Sequence, residues 1–224
     1  MNKKFVKAAV SLALFVLTIV LVKTVDVAAV GPAGTEIGLS HLNNGFHELI
    51  GTHMFLYQMT NLLGFWAILC GCVFAVIGIV QLVQRKSLAK VDKKILALGG
   101  LFVVTGVLYV LFEKVVINCR PILMEGETVP EASFPSSHTV LAVVIFGSVA
   151  MILKDYLNDK KLAARLQNVC LVLMIVAVLG RLFSGVHWLT DILGGLFLSF
   201  ALLQAFSGVL DRLEDAAVKE KAEE

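Results

Sequence analysis

Six stretches of this chain, at about 5–24, 60–83, 95–117, 138–154, 166–180 and 190–210, carry few charges and are nearly all apolar. A bilayer core about 30 Å thick takes roughly 20 such residues per helix, and only helices and closed barrels can cross it without leaving backbone groups unpaired. This feature excludes an ordinary soluble domain. It predicts an all-α, polytopic membrane protein, one six-span domain over residues 1–224 with both termini cytoplasmic. Composition agrees, with 58% hydrophobic residues, 16% charged residues and a mean hydropathy of +0.87. No nucleic-acid partner is expected; the lipid bilayer is.

Charge sets the orientation. With both termini inside, Lys3, Lys4 and Lys7 join Arg85, Lys86, Lys90, Lys93, Lys94, Lys154, Lys160, Lys161, Arg165, Arg212, Lys219 and Lys221 on the cytoplasmic side, 15 of 19 basic residues. That is the positive-inside bias. Lys23, Lys114, Arg120 and Arg181 remain outside, and the last three are cations that the bias does not explain.

Other features are read more plainly. The basic start and first apolar run are long for a signal peptide and lack a clear Ala-x-Ala site, so they are taken as an uncleaved first span. The outer segment from 25 to about 59 holds His41, His47, Glu48 and His53 and is read as an interfacial loop, because His47 and His53 lack the spacing of the His-Glu-x-x-His metal motif. Cys70, Cys72 and Cys170 lie within spans, where a reduced thiol acts as a small hydrophobe. Glu125, Glu127 and Glu131 share a loop without ligand spacing. No metal and no cofactor are expected. Gly194 and Gly195 are expected to allow close helix packing.

The chemistry concentrates at 181–191, Arg-Leu-Phe-Ser-Gly-Val-His-Trp-Leu-Thr-Asp. His187 and Asp191, four residues apart, share a face if helical, so Asp191 can hold one imidazole nitrogen and aim the other outward. Arg181 can return past Gly185 with a planar fork suited to phosphate. The same residues also fit a loop Arg, a capping His and an N-terminal Asp that never meet. Pro135-Ser136-Ser137-His138 stands just before the fourth span. Either Ser is a natural N-cap, and the first amides of that helix can face an anion. Pro121 ends the third span near Arg120. By the expected topology all three segments share the outer side, and their clustering is itself a functional signal.

In order and spacing, 114–121, 135–138 and 181–191 resemble the three signature motifs of the type-2 phosphatidic acid phosphatase superfamily, which includes bacterial acid phosphatases and vanadium haloperoxidases. The resemblance covers the three motifs and the six-span layout. It implies a lipid phosphatase at the extracytoplasmic face of the cell membrane with a membrane lipid as substrate. His187 would be the nucleophile, Asp191 its orienting partner and His138 the acid and base, with Arg120, Arg181, Ser136, Ser137 and Lys114 binding phosphate. A lipid phosphotransferase with the same site, or a non-catalytic transporter or scaffold, is the alternative. The chain departs from the family at three places. Ser137 replaces a Gly, Gly180 replaces a Ser, and five residues rather than six separate Lys114 from Arg120. On a helix that one-residue shift turns Lys114 by about 100°, and puts Glu113 in the expected place.

Overall fold

The structure, a computed structural model, describes residues 3–223. Met1, Asn2 and Glu224, at the ends of the expected domain, and the side chains of Lys221 and Glu223 lie outside the described residues. The chain forms α1 (Lys3–Thr24), α2 (Ser40–Ile50), α3 (Met54–Arg85), α4 (Lys93–Lys114), α5 (Ser137–Tyr156), α6 (Lys160–Phe183) and α7 (Leu189–Glu223). All but α2 are long and apolar enough to span a membrane. The all-α, six-span reading therefore holds.

Several boundaries differ from the sequence reading, and caps explain two of them. Asp159 accepts from the Lys161 and Leu162 amides, so α6 opens well before its apolar run; Asp92 does the same for α4 through Lys94. The segment taken as an outer loop contains α2. Its first turn is fastened by Asp26, which accepts from the Ser40 hydroxyl and the His41 amide. That cap lies far enough away in sequence to escape any local pattern.

The bundle is arranged around α5. Two thirds of its apolar window, 67%, is buried, against 17–22% for α1, α3, α4 and α6, which turn most of their surface outward. Small residues on α7 let it close on α5: a Cβ on Gly195 would stand 3.1 Å from Thr139, and one on Gly194 2.4 Å from the Phe134 ring. In lipid, where burial between helices gains little from the hydrophobic effect, such close packing is what holds helices together. α1 lies along α7, with Lys4 paired to Asp211 at 2.6 Å and Arg212 over the Phe5 ring. Lys94 joins Asp155 and Glu214, each at 2.8 Å. These pairs mark one end of the bundle, the tail end. The three motifs gather at the other.

Candidate active site

Backbone bonds tie the motifs together before any reactive side chain is considered. Cys119 and Ala132 form an antiparallel bridge, with Arg120 N–H donating to Glu131 O and Ser133 N–H to Asn118 O. The Trp188 indole donates to Cys119 O at 2.6 Å, and the Ser136 amide to Asp191 O at 3.0 Å. First, second and third motifs thus share one framework.

The turn that delivers His187 depends on Gly185. Its φ of +68° lies where side chains are strained, and a Cβ there would stand 1.9 Å from Gly51 O. His187 and Asp191 then meet: Nδ1 lies 3.5 Å from Asp191 Oδ2, and both residues are buried. Asp191 Oδ2 also accepts from the Trp188 amide at 3.0 Å, closing the first turn of α7 as a capping-box acid does. One carboxylate thus fixes the helix start and the imidazole beside it. Neither ring nitrogen of His187 has a hydrogen-bond partner, so Nε2 is available to a reactant. Burial comes first in holding the His187 pKa well below the ordinary histidine value, followed by the charges of Arg120, Arg181 and His138.

Arg181 is fully buried at the end of α6. Its Nη2 donates to Asn61 Oδ1 at 3.0 Å and its guanidinium lies over the Tyr57 ring, 4.8 Å from the centroid. Nε and Nη1 have no partner. Arg120 pairs through Nε with Glu131 at 2.7 Å, off the angle of a hydrogen bond, and its Nη1 is also buried and unpartnered. Buried guanidinium donors without acceptors are costly unless an anion completes them.

Ser136 is the N-cap of α5, yet its hydroxyl accepts from Thr139 and makes no capping bond. The amides of Ser137 and His138 open that helix, where N–H groups have no intrahelical acceptor. At the start of α7, by contrast, the Thr190 amide already donates to Asn43 Oδ1 at 3.2 Å. His138 and His187 line a single cleft of about 480 Å³ together with Ser133 and Ser137. The cleft continues between α4 and α5 along apolar side chains as far as Phe102 and Ile145. Glu113 lines it; Lys114 is exposed at the end of α4.

The structure therefore gathers His187, Asp191, His138, Arg120, Arg181, Ser136 and Ser137, and sets Lys114 apart at the surface. Sequence reasoning missed Asn61, Tyr57 and Asn43. An Asn inside an apolar stretch was the available signal for Asn61, whereas Asn43 lies in a polar segment where it does not stand out. His47, in the segment read as an interfacial loop, lies in α2 and packs edge-on to Trp188 at 5.6 Å. Among the described residues no three His, Cys, Asp or Glu side chains are grouped as metal ligands would be; Glu131 is instead the partner of Arg120.

Comparison with curated protein sequences gives no match. Among solved structures, the chain is similar to the first transmembrane PAP2 type phosphatidylglycerolphosphate phosphatase from Bacillus subtilis, with TM-score 0.66 and 18% identity over 92% of this chain and 96% of that one. At that identity the likeness speaks for the fold. The sequence pattern of the PAP2 superfamily matches residues 93–214, more than half of the chain and the part that bears all three motifs. By that match, and with its motifs joined at one end of a six-span bundle, the chain belongs to the PAP2 superfamily.

Proposed function

We propose that this protein is a membrane phosphatase that hydrolyses a lipid phosphate or lipid pyrophosphate, of the undecaprenyl pyrophosphate, phosphatidylglycerol phosphate or phosphatidate type. The observation that carries the reading is a set of buried, unpartnered nitrogens: the guanidinium donors Arg120 Nη1 and Arg181 Nε and Nη1, and His187 Nε2, whose ring lines a cleft that is otherwise mostly apolar. Such a site suits a phosphate on a hydrocarbon tail. The name of the similar Bacillus subtilis structure points the same way.

In the mechanism, His187 Nε2 attacks phosphorus while the bond to the leaving oxygen breaks, and His138 delivers a proton to that oxygen. Water then attacks the phosphohistidine, His138 takes its proton, and the P–N bond breaks to release phosphate. Asp191 keeps the ring oriented and supports the charge it acquires. Arg120, Arg181 and the first amides of α5, at Ser137 and His138, stabilise the equatorial oxygens as charge spreads over them. Lys114, exposed, contributes at most a distant charge. The positive charge is supplied by the protein, so the reaction calls for no metal.

The site faces the extracytoplasmic side in this reading, since 15 of 19 basic residues flank the spans on the opposite side. An impermeant thiol reagent on intact cells should label a cysteine placed at Glu127 and spare one placed at Asp159; the reverse pattern refutes that orientation. Purified protein in lipid micelles with EDTA should release inorganic phosphate from at least one of the three lipid types and be inhibited by vanadate. Transfer of the phosphoryl group to an added alcohol without release to water would make it a phosphotransferase. No turnover of any of them would leave a membrane scaffold.

A further inference from the structure

A second apolar cleft, about 320 Å³, lies between α3 and α4 toward the tail end, bounded by Phe74, Gly78 and Leu82 on α3 and by Ile95 and Gly99 on α4. It and the catalytic cleft share Phe102 as a lining residue. Phe102 reaches from α4 across to α3: a Cβ on Gly71 would stand 3.3 Å from its ring and 3.8 Å from Ile145 of α5. On α4, Gly99 and Gly106 flank it, one in each cleft, and neither has an atom within 4 Å of where a Cβ would be. Phe102 is thus where the two clefts adjoin, with open space beside it on α4 in each.

Depth gives this junction a meaning. From Glu113, which lines the same cleft as the histidines, to Phe102 is eleven residues of helix, about 16 Å at 1.5 Å per residue. Half of a hydrocarbon core about 30 Å thick is about 15 Å. The catalytic cleft therefore ends near the bilayer midplane, and the second cleft continues toward the other surface.

Resting on the phosphatase reading above, we infer that Phe102 is the floor of the substrate cleft and sets the length of hydrocarbon tail that the enzyme accepts. A tail spanning one leaflet fits above the ring. A much longer polyisoprenoid tail must displace the ring from Gly71 and thread into the second cleft, or leave the groove for bulk lipid. Either loses contacts that the shorter tail keeps, so the chain discriminates against long tails.

Two substrates with one headgroup and different tails isolate this effect: farnesyl pyrophosphate and undecaprenyl pyrophosphate, assayed for phosphate release in the same micelles. The expected wild-type kcat/KM favours farnesyl by about tenfold, the scale on which apolar pockets discriminate. Phe102→Ala should cut that ratio at least about fivefold, mainly by raising the undecaprenyl value, and Phe102→Trp should raise it. Adding Gly99→Leu to Phe102→Ala refills the second cleft and should restore the wild-type preference, a reversal that general loosening of the bundle does not produce. If Phe102→Ala does not fold, the Phe102→Trp change alone decides. An unchanged ratio in folded, active variants, or no restoration by Gly99→Leu, overturns the floor. A wild-type chain that turns over neither pyrophosphate, nor any other lipid phosphate, overturns the phosphatase reading instead.

Discussion

Residues 93–214 carry all three motifs, whereas α1 to α3 carry none, yet the reactive groups of the first region are held by the second. Asn61 and Tyr57 of α3 hold Arg181. Asn43 of α2 grips Thr190 through its amide and hydroxyl, next to Asp191. The His53 amide donates to Ser184 O beside the Gly185 turn, and Phe15 of α1 stacks on Phe134 at 5.8 Å. The contrast between the arginines is instructive. Arg120 is tethered by Glu131 within its own region, while Arg181, fully buried, depends on the other. One region supplies the atoms that react, and the other fixes their direction.

The comparison breaks most sharply at His187. His187→Ala removes the atom that bonds phosphorus and should lower kcat by on the order of 10⁵-fold or more, the scale seen when a nucleophile is deleted. Asp191→Asn keeps the nucleophile but degrades its orientation, and should cost on the order of 10³–10⁴-fold. Trapping of labelled phosphohistidine should vanish in the first variant and persist in the second. Normal turnover by His187→Ala would end the mechanism.

Much of this division was legible in the sequence, for particular physical reasons. Uninterrupted apolar length gave the spans, since a bilayer admits few alternatives to a helix. His187 and Asp191 meet as expected but for another reason: His187 stands before α7, and Asp191 reaches back to it from the helix's first turn instead of sharing a helical face with it. What stayed hidden depends on contacts distant in sequence. The cap of α2 lies at Asp26, and Asn61 faces Arg181 across 120 positions of chain. Neither leaves a local periodicity. The first motif shows the intermediate case: counting residues along α4 favoured Glu113 over Lys114 at the pocket, and Glu113 does line the cleft while Lys114 is exposed.

A finer test sets the two regions against each other at one guanidinium. Arg181→Ala should lower kcat/KM roughly 10²–10³-fold, as loss of a transition-state donor does. Asn61→Ala, in the region without motifs, should cost roughly tenfold, the value of a hydrogen bond to a charged group. Because Asn61 acts through Arg181, the double variant should be no worse than Arg181→Ala alone. Lys114→Ala should cost no more than about fivefold, since an exposed charge contributes little. Additive losses at Asn61 and Arg181 would show that Asn61 has a separate role. A Lys114→Ala variant as damaged as Arg181→Ala would mean that α4 distorts to bring Lys114 to the phosphate.

The smallest effect expected is in pH, and it measures how far burial alone sets the nucleophile. Burial lowers the His187 pKa most, with Arg120, Arg181 and His138 adding to it, while Asp191 faces the ring from the opposite sense of charge. Neutral His187 is the reactive form, so the rate of phosphohistidine formation should hold as pH falls through about 6.5, the ordinary histidine value, and decline only below it. Stability has the same sign. Below about 6.5 the unfolded chain binds a proton on this ring that the folded chain does not, so this contribution is intact at higher pH and is lost as pH falls toward the depressed folded value. Arg120→Gln removes a secondary cause and leaves burial in place. It should therefore move the acid limb of phosphohistidine formation upward without bringing it to 6.5, measured as burst rate against pH in chemically quenched flow. An acid limb unmoved by Arg120→Gln would mean that burial by the surrounding framework sets the nucleophile and that the charges of the first and third motifs act on the phosphate alone.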